Sequence, residues 1–431
     1  MGRAADSGRV RAYRRSMRDI SRLPTSPRFW RSPVRGRRFT SVLGLVLLVG
    51  VTVLFVTGLL SYAAYNPGLA PVNDKTPDKG LLGFYLFSWP TDPHWLYRLT
   101  QGVHVTLGIT LIPVLLAKLW SVVPRLFALP PVRSVVHGLE RVSLLLLVGG
   151  GLFEFVTGVL NVQLDYLFPG SFYPLHFYGA WVFFAAFLVH AALKTPIALR
   201  NLRAMKDGEE ADGQGELTAP DPAPPTFSRR GALWFVGGGS ALLFATTAGR
   251  SFDGLRHTAL LAPHGGAEPG SGPNGFQINK TAAHAGIRAA DTDAEAWRLT
   301  VTGRTGTVRL RRGDLEQLAL HSAELPIACV EGWSTSDQRW RGVRLRDLAQ
   351  LVGHDDGDPP DLHVESLQRQ GAFRHAALSS RQVADPRSLL ALYVNGARLS
   401  PDHGYPARII VPAAPGVLNT KWVARLTFGR L

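Results

Sequence analysis

Residues 39–62 contain no charged side chain. A helix of that length, rising ~1.5 Å per residue, crosses the ~30 Å hydrocarbon layer of a bilayer. Similar runs occur at Leu99–Ala117, Val142–Leu164 and Leu175–Leu193, and between Arg230 and Arg250. Nothing comparable follows residue 250, although 46% of the whole chain is hydrophobic. Hydrocarbon offers no partner to an exposed peptide group, so such runs are expected to be helices. The chain therefore divides into a membrane half and a water-facing half. The expected segments are a basic tail (1–38), an all-α transmembrane four-helix bundle (39–200), a polar linker (201–228), a fifth membrane helix (229–250), a flexible tether (251–275) and a folded domain (276–431).

The net charge of +15 invites a nucleic-acid reading, but its location argues against one. Residues 1–40 hold 12 arginines against 2 aspartates, and this tail abuts an apolar run. A basic segment beside a membrane helix reads as an anchor facing anionic lipid. Nucleic-acid binding needs a basic face on a folded module, and none is evident. The tail also lacks the small-residue cleavage pattern of a secretory signal. Segments on the expected inner side carry 12, 4 and 6 Lys or Arg residues, and the two outer loops carry 3 and 0. The positive-inside rule then places the N-terminus in the cytoplasm, and five crossings place the domain after residue 250 outside. Arg229 and Arg230, ahead of a Gly-rich apolar run, either anchor the fifth helix or resemble a twin-arginine export signal.

A short repeat joins the first and third spans: Phe55, Val56, Thr57, Gly58 recur as Phe155, Val156, Thr157, Gly158. It suggests two related helix pairs. The second and fourth spans carry histidines, which are costly in a membrane and commonly functional there. His104 and His176 fall near the outer ends, His137 and His190 near the inner ends. His176 and His190 are 14 residues apart, about 21 Å along one helical face. Two imidazoles at each depth suit bis-histidine ligation of two b-type haems. This arrangement is similar to the two-haem membrane cytochrome b families. Glu154, inside the third span, is a candidate for proton delivery to a quinone or for a structural hydrogen bond.

The water-facing half contains Cys329, the chain's single cysteine. An internal disulfide and a multi-cysteine zinc site are thereby excluded. Leu325–Ala328 reads as a buried strand, with Gly332 and Trp333 in the turn beyond it. That would fix a soft sulfur at a strand end, suited to a metal or to redox chemistry. Its alternative is a small buried hydrophobe. Period-two alternation from Trp297 to Thr302 marks another strand, as do Val308–Leu310, Leu362–Glu365, Ala407–Pro412 and Val423–Phe428. Asp314–Leu320 and Leu345–Val352 read as helices. The expectation is a β-rich α+β domain.

The order of motifs after Ile327 resembles the molybdopterin-binding domain of the sulfite-oxidase family. The motifs are Ile327–Ser334, Trp340–Leu348, Gly404–Arg408 and Lys421–Val423. Within that family the sequence looks closest to the branch of the periplasmic protein-methionine-sulfoxide reductase. The resemblance implies a molybdenum held by a pterin dithiolene and by the Cys329 thiolate, with Cys329 as the catalytic residue. It further implies cofactor contacts from Asn279, Ser366, His403, Arg408, Asn419, Thr420 and Lys421. His403 stands where the family often has Asn, and Ser366 where it can carry Thr. Trp333 and Trp340 suit either the substrate mouth or the rim of the core.

The expected function is a membrane-bound molybdopterin oxidoreductase exchanging electrons between a quinone/quinol pool and an outer substrate through haem. The preferred substrate is a small-molecule or protein sulfoxide. Alternatives are a sulfite-type dehydrogenase feeding electrons into the membrane, and a cofactor-less binding module.

Overall fold

The computed structural model describes residues 23–69, 72–73, 87–127, 134–162, 172–206, 223–260, 272–355 and 359–431. The first 22 residues of the basic tail, residues 207–222 of the expected linker and residues 261–271 of the expected tether lie outside this set.

Five helices follow the five apolar runs: α1 (Arg37–Ala64), α2 (Leu96–Leu126), α3 (Val135–Asn161), α4 (Tyr173–Lys206) and α5 (Arg229–Ala248). All five are long and apolar enough to cross a membrane. Large apolar side chains such as Trp234 and Phe235 on α5 are exposed, as a lipid-facing surface requires. α4 runs on to Lys206, so the expected linker does not begin at residue 201.

The chain forms two compact units. One comprises residues 1–53, 110–156 and 178–243. In it Val51, Phe183 and Phe187 form an apolar cluster. Arg35 donates to the Trp120 carbonyl and lies 4.0 Å from that indole's centroid. Lys118 donates to the Thr40 carbonyl at 2.7 Å. Glu154 packs on α4, where a side chain at Gly179 would collide with its carboxylate.

The second unit comprises residues 54–109, 157–177 and 244–431. It joins parts of all five long helices to the β-rich region. The β-rich region holds two five-stranded sheets. The first has the order β2 (Gly306–Leu310), β1 (Leu299–Gly303), β10 (Val423–Phe428), β5 (Leu362–Ser366), β6 (His375–Leu378). Only the β1–β10 pair is parallel. The second runs β3 (His321–Leu325), β4 (Gln338–Arg344), β7 (Leu389–Val394), β8 (Ala397–Arg398), with β9 (Arg408–Ile410) also paired to β7. Short helices α6 (Arg312–Gln317) and α7 (Leu345–Leu351) fall where the sequence places them.

Side chains alternate across a strand, and β7 uses both faces. Leu390 and Leu392 join the main core between the sheets, with Leu299, Leu362 and Leu426. Leu389 and Ala391 join a second cluster with Leu325, Cys329, Trp333 and Trp340. β9 divides the same way: Ile409 enters the main core and Ile410 the second cluster. Alternation therefore turns Arg408 toward the cysteine side. Trp333 and Trp340 are buried, which places both in the core.

Strand β6 ends the first sheet, yet part of its edge is closed. The Asn73 side chain accepts from Ala377 N at 2.9 Å and donates to Ala377 O at 2.5 Å. A fully buried Leu390 supports both sheets, so Leu390→Ala should cost about 2–5 kcal/mol. The check is a lower unfolding midpoint of the detergent-solubilised full chain.

Candidate active site

β3 stops at Leu325, so the expected strand over Leu325–Ala328 is instead a buried extended segment beyond a strand end. Ala328 makes single bridges to Ser334 and to Pro415. A tight loop follows. Cys329 N donates to Trp333 O at 2.8 Å, and Gly332 N donates to Cys329 O at 3.1 Å. Gly332 has φ +79°, a conformation that glycine adopts without strain. Gly416 packs across the loop, its N–H donating to Ala328 O at 2.6 Å.

This loop is held by residues at the ends of two of the long apolar helices, α2 and α5. Ser334 N donates to Arg250 O at 2.8 Å, and Arg250 Nη2 donates to Glu331 O at 2.9 Å. Ser251 Oγ donates to Gly332 O, and Gln101 Nε2 to Val330 O, both at 2.5 Å. Arg98 Nε donates to Ser334 Oγ at 3.0 Å. A methyl group added at Gly332 would lie 2.5 Å from Val105 Cβ. Arg250, Ser251 and Arg256 are buried, and Pro273 and Phe276 bond to the domain. Within the expected tether, Ser251 and Arg256 are thus held against the loop, and residues 261–271 lie outside the described set.

The Cys329 thiol is buried, and Asn279 Nδ2 points a hydrogen at Sγ from 3.7 Å. Burial pushes the thiol pKa well above its ordinary value, and Glu331 adds to this. Around it stand two cations, Arg408 buried and Lys421 half-buried. Arg408 donates to His403 O at 3.1 Å and Asn419 O at 3.3 Å, and lies over the Trp340 ring. Its partners are all neutral, and burial brings its pKa down to about 9. Lys421 donates to the carbonyls of Lys280 and Asp402 at 2.9 and 2.7 Å. Burial and Arg408 hold its pKa well below the usual lysine range.

His403 is fully buried. Its ring stacks under Phe276 with centroids 3.8 Å apart, and Nε2 faces Pro273 O at 2.8 Å and Phe276 O at 3.2 Å. A donor at Nε2 fixes Nδ1 as an acceptor. Ser366 supports rather than reaches: its hydroxyl donates to Lys421 O at 2.8 Å and accepts from Gln368 N at 3.2 Å.

Several buried polar atoms lack any hydrogen-bond partner among the described residues. They include Arg408 Nε, Asn419 Nδ2, Thr420 Oγ1 and His403 Nδ1. Buried orphans are rare in folded proteins and call for an explanation. All four belong to residues that the sequence assigns to cofactor contact. Neutrally bonded cations, unmet donors and one buried thiol fit an anionic, metal-bearing cofactor rich in acceptors.

A second constellation lies in the same compact unit. The rings of His104 on α2 and His176 on α4 have centroids 6.2 Å apart and planes at 87°. Thr57 Oγ1 lies 3.0 Å from His104 Nδ1, and Thr157 Oγ1 lies 3.0 Å from His176 Nδ1. Gly58 and Gly158 each face the Cε1 of the matching ring, at 3.2 and 3.3 Å from an added methyl group. The Phe-Val-Thr-Gly repeat is thus a pair of histidine cradles. It was visible in the sequence as a repeat, but not as a contact. His137 lies in the first turn of α3 and His190 in the middle of α4.

The fold and this site define a molybdopterin-dependent oxidoreductase domain. Residues 284–430 match the family model described as oxidoreductase molybdopterin binding domain. The chain is 30% identical over 138 residues to "Uncharacterized oxidoreductase YuiH" of Bacillus subtilis (strain 168), covering 32% of this chain and 67% of that protein. It is 30% identical over 161 residues to mitochondrial sulfite oxidase of Rattus norvegicus, covering 31% of this chain. The match spans only 29% of that relative's length. The solved sulfane dehydrogenase SoxCD from Paracoccus pantotrophus aligns with TM-score 0.29 and 21% identity, over 34% of this chain and 40% of that one. That level of likeness defines no shared fold. The chain belongs, through its C-terminal domain, to the sulfite-oxidase family of molybdopterin-binding oxidoreductases.

Burial, Arg408 and Lys421 bring the His403 pKa down to about 3. That lies below the ~6.5 of an unfolded histidine, so stability is fully present above that pH and is lost as pH falls through this window. His403→Gln should lose less stability between about pH 7 and pH 4, read from unfolding midpoints of the two full chains.

Proposed function

We propose that this protein is a membrane-bound oxidoreductase that draws electrons from quinol and reduces a sulfoxide-class substrate at Cys329. When bound, the molybdenum cofactor supplies two-electron oxygen-atom transfer. The overall reduction is R₂SO + 2 e⁻ + 2 H⁺ → R₂S + H₂O.

The chain's own residues divide the remaining work. Cys329 would hold the metal, and Asn279 donates to its sulfur. Arg408 and Lys421 would neutralise the cofactor's phosphate, and Asn419 and Thr420 would add donors. His403 offers an acceptor at Nδ1, and Ser366 holds Lys421 in place. A bound metal deprotonates its thiol ligand outright, which offsets the burial that otherwise keeps Cys329 protonated.

The observation that carries the reading is the setting of the His104–His176 pair. Their Nδ1 atoms are engaged by threonines, so ligation falls to Nε2. Two imidazoles sharing a metal at ~2 Å from each nitrogen place their rings about as far apart as these two. Val105, next to His104, packs on Gly332, whose N–H bonds the Cys329 carbonyl. A b-type haem held by His104 and His176 is then linked to the cysteine loop through a short run of packed residues. His137 and His190 would hold a second haem. The parts of α1, α2 and α4 that share a unit with the cysteine loop are those assigned to the outer side. That agrees with a cytoplasmic N-terminus and an external catalytic domain.

The test uses membranes containing the full chain. Quinol should reduce b-type haem bands, and methionine sulfoxide should reoxidise them. Cys329→Ser should keep the bands but slow reoxidation by at least about a hundredfold, the scale of losing a catalytic group. Colourless, molybdenum-free protein, or normal turnover by Cys329→Ser, would sink the proposal. Haem reduction by sulfite without quinol would reverse the direction in favour of a sulfite-type dehydrogenase. His104→Ala and His176→Ala should each remove the same one of two haems, and His190→Ala the other, measured as pyridine haemochrome per chain.

A further inference from the structure

β5 and β6 pair with Glu365 opposite His375 and His363 opposite Ala377. Leu362 and Val364 are buried in the core, so His363 and Glu365 take the outer face of the sheet. His375, directly across from Glu365, shares that face. The three side chains bring one ligand atom each to within 4.8 Å of one another.

Three features distinguish this cluster from ordinary surface polarity. All three residues are half-buried. The imidazoles stack with centroids 5.3 Å apart and planes at 13°, so the two rings stand side by side on one face. His375 Nδ1 is shielded from solvent and has no hydrogen-bond partner among the described residues. His363 Nδ1 lies 3.7 Å from Glu365 Oε1, close but not hydrogen-bonded. Arg425, opposite Glu365 on β10, is exposed rather than buried against the cluster.

We propose that His363, Glu365 and His375 form a binding site for a divalent transition-metal ion of the zinc class, with water completing the coordination. Two imidazoles and a carboxylate are a recurrent zinc donor set. Tetrahedral bonds of ~2.0–2.2 Å put donor atoms about 3.3 Å apart. Closing from the observed spacing needs side-chain rotation of about 1.5 Å at most, on a backbone already held by the sheet. The carboxylate offsets half of the ion's charge. The ion would join the terminal strand β6 to β5. It is separate from the molybdenum site because Ser366, the next residue after Glu365, turns toward Lys421 instead.

The experiment uses the purified full chain, treated with chelator to remove weakly held metal and then titrated with Co²⁺. Wild type should bind about one equivalent with the visible absorption of a four-coordinate N/O site, and Zn²⁺ should displace it. Glu365→Gln and His375→Gln should each lose this absorption while molybdenum and haem content stay unchanged. Zn²⁺ should raise the unfolding midpoint of wild type and leave that of the double variant unmoved. Absence of cobalt absorption in wild type at micromolar metal, or a signal that persists in both variants, overturns the proposal.

Discussion

The cysteine loop depends on hydrogen bonds that come from outside its own domain fold. Its carbonyls at Val330, Glu331 and Gly332 accept from Gln101, Arg250 and Ser251. These donors sit at helix ends, where the chain leaves the apolar run and polar groups become affordable. A loop with its carbonyls so engaged cannot drift by an ångström without leaving buried acceptors unmet, at about 1–3 kcal/mol each. Val105 against Gly332 excludes any side chain at that glycine. The geometry around Sγ is therefore set jointly by the β-rich fold and by the helix ends.

The charge pattern of the site follows from the same enclosure. Arg408 is on the cysteine side because β9 alternates, and Trp340 and β7 seal it from water. Burying a cation without a counter-charge is expensive, and Lys421 repeats the expense nearby. Orphaned donors on Asn419 and Thr420 add to a donor set that suits an acceptor-rich anion.

Much of this was legible in the sequence, and for physical reasons. The five spans follow from uninterrupted apolarity, a property of single segments. Strands β1, β5 and β10 announce themselves by alternation. The order of motifs singled out Cys329, Arg408 and Lys421, and the structure buries the first two. What escaped depends on distant pairings. Residues 326–328 are as apolar as a strand, but no neighbour ladder takes them up, so they stay extended without becoming one. The repeated Thr and Gly of α1 and α3 were visible as letters, but their role emerges only when α2 and α4 bring in the rings.

The amide of Asn73 on Ala377 has a consequence for behaviour in a crowded compartment. A sheet's last strand is a template for any other extended chain. Here a side chain imitates the missing neighbour, offering one acceptor and one donor to the same residue. Two catalytic domains meeting at high local density therefore find this part of the rim already taken, and growth of the sheet from copy to copy is discouraged there.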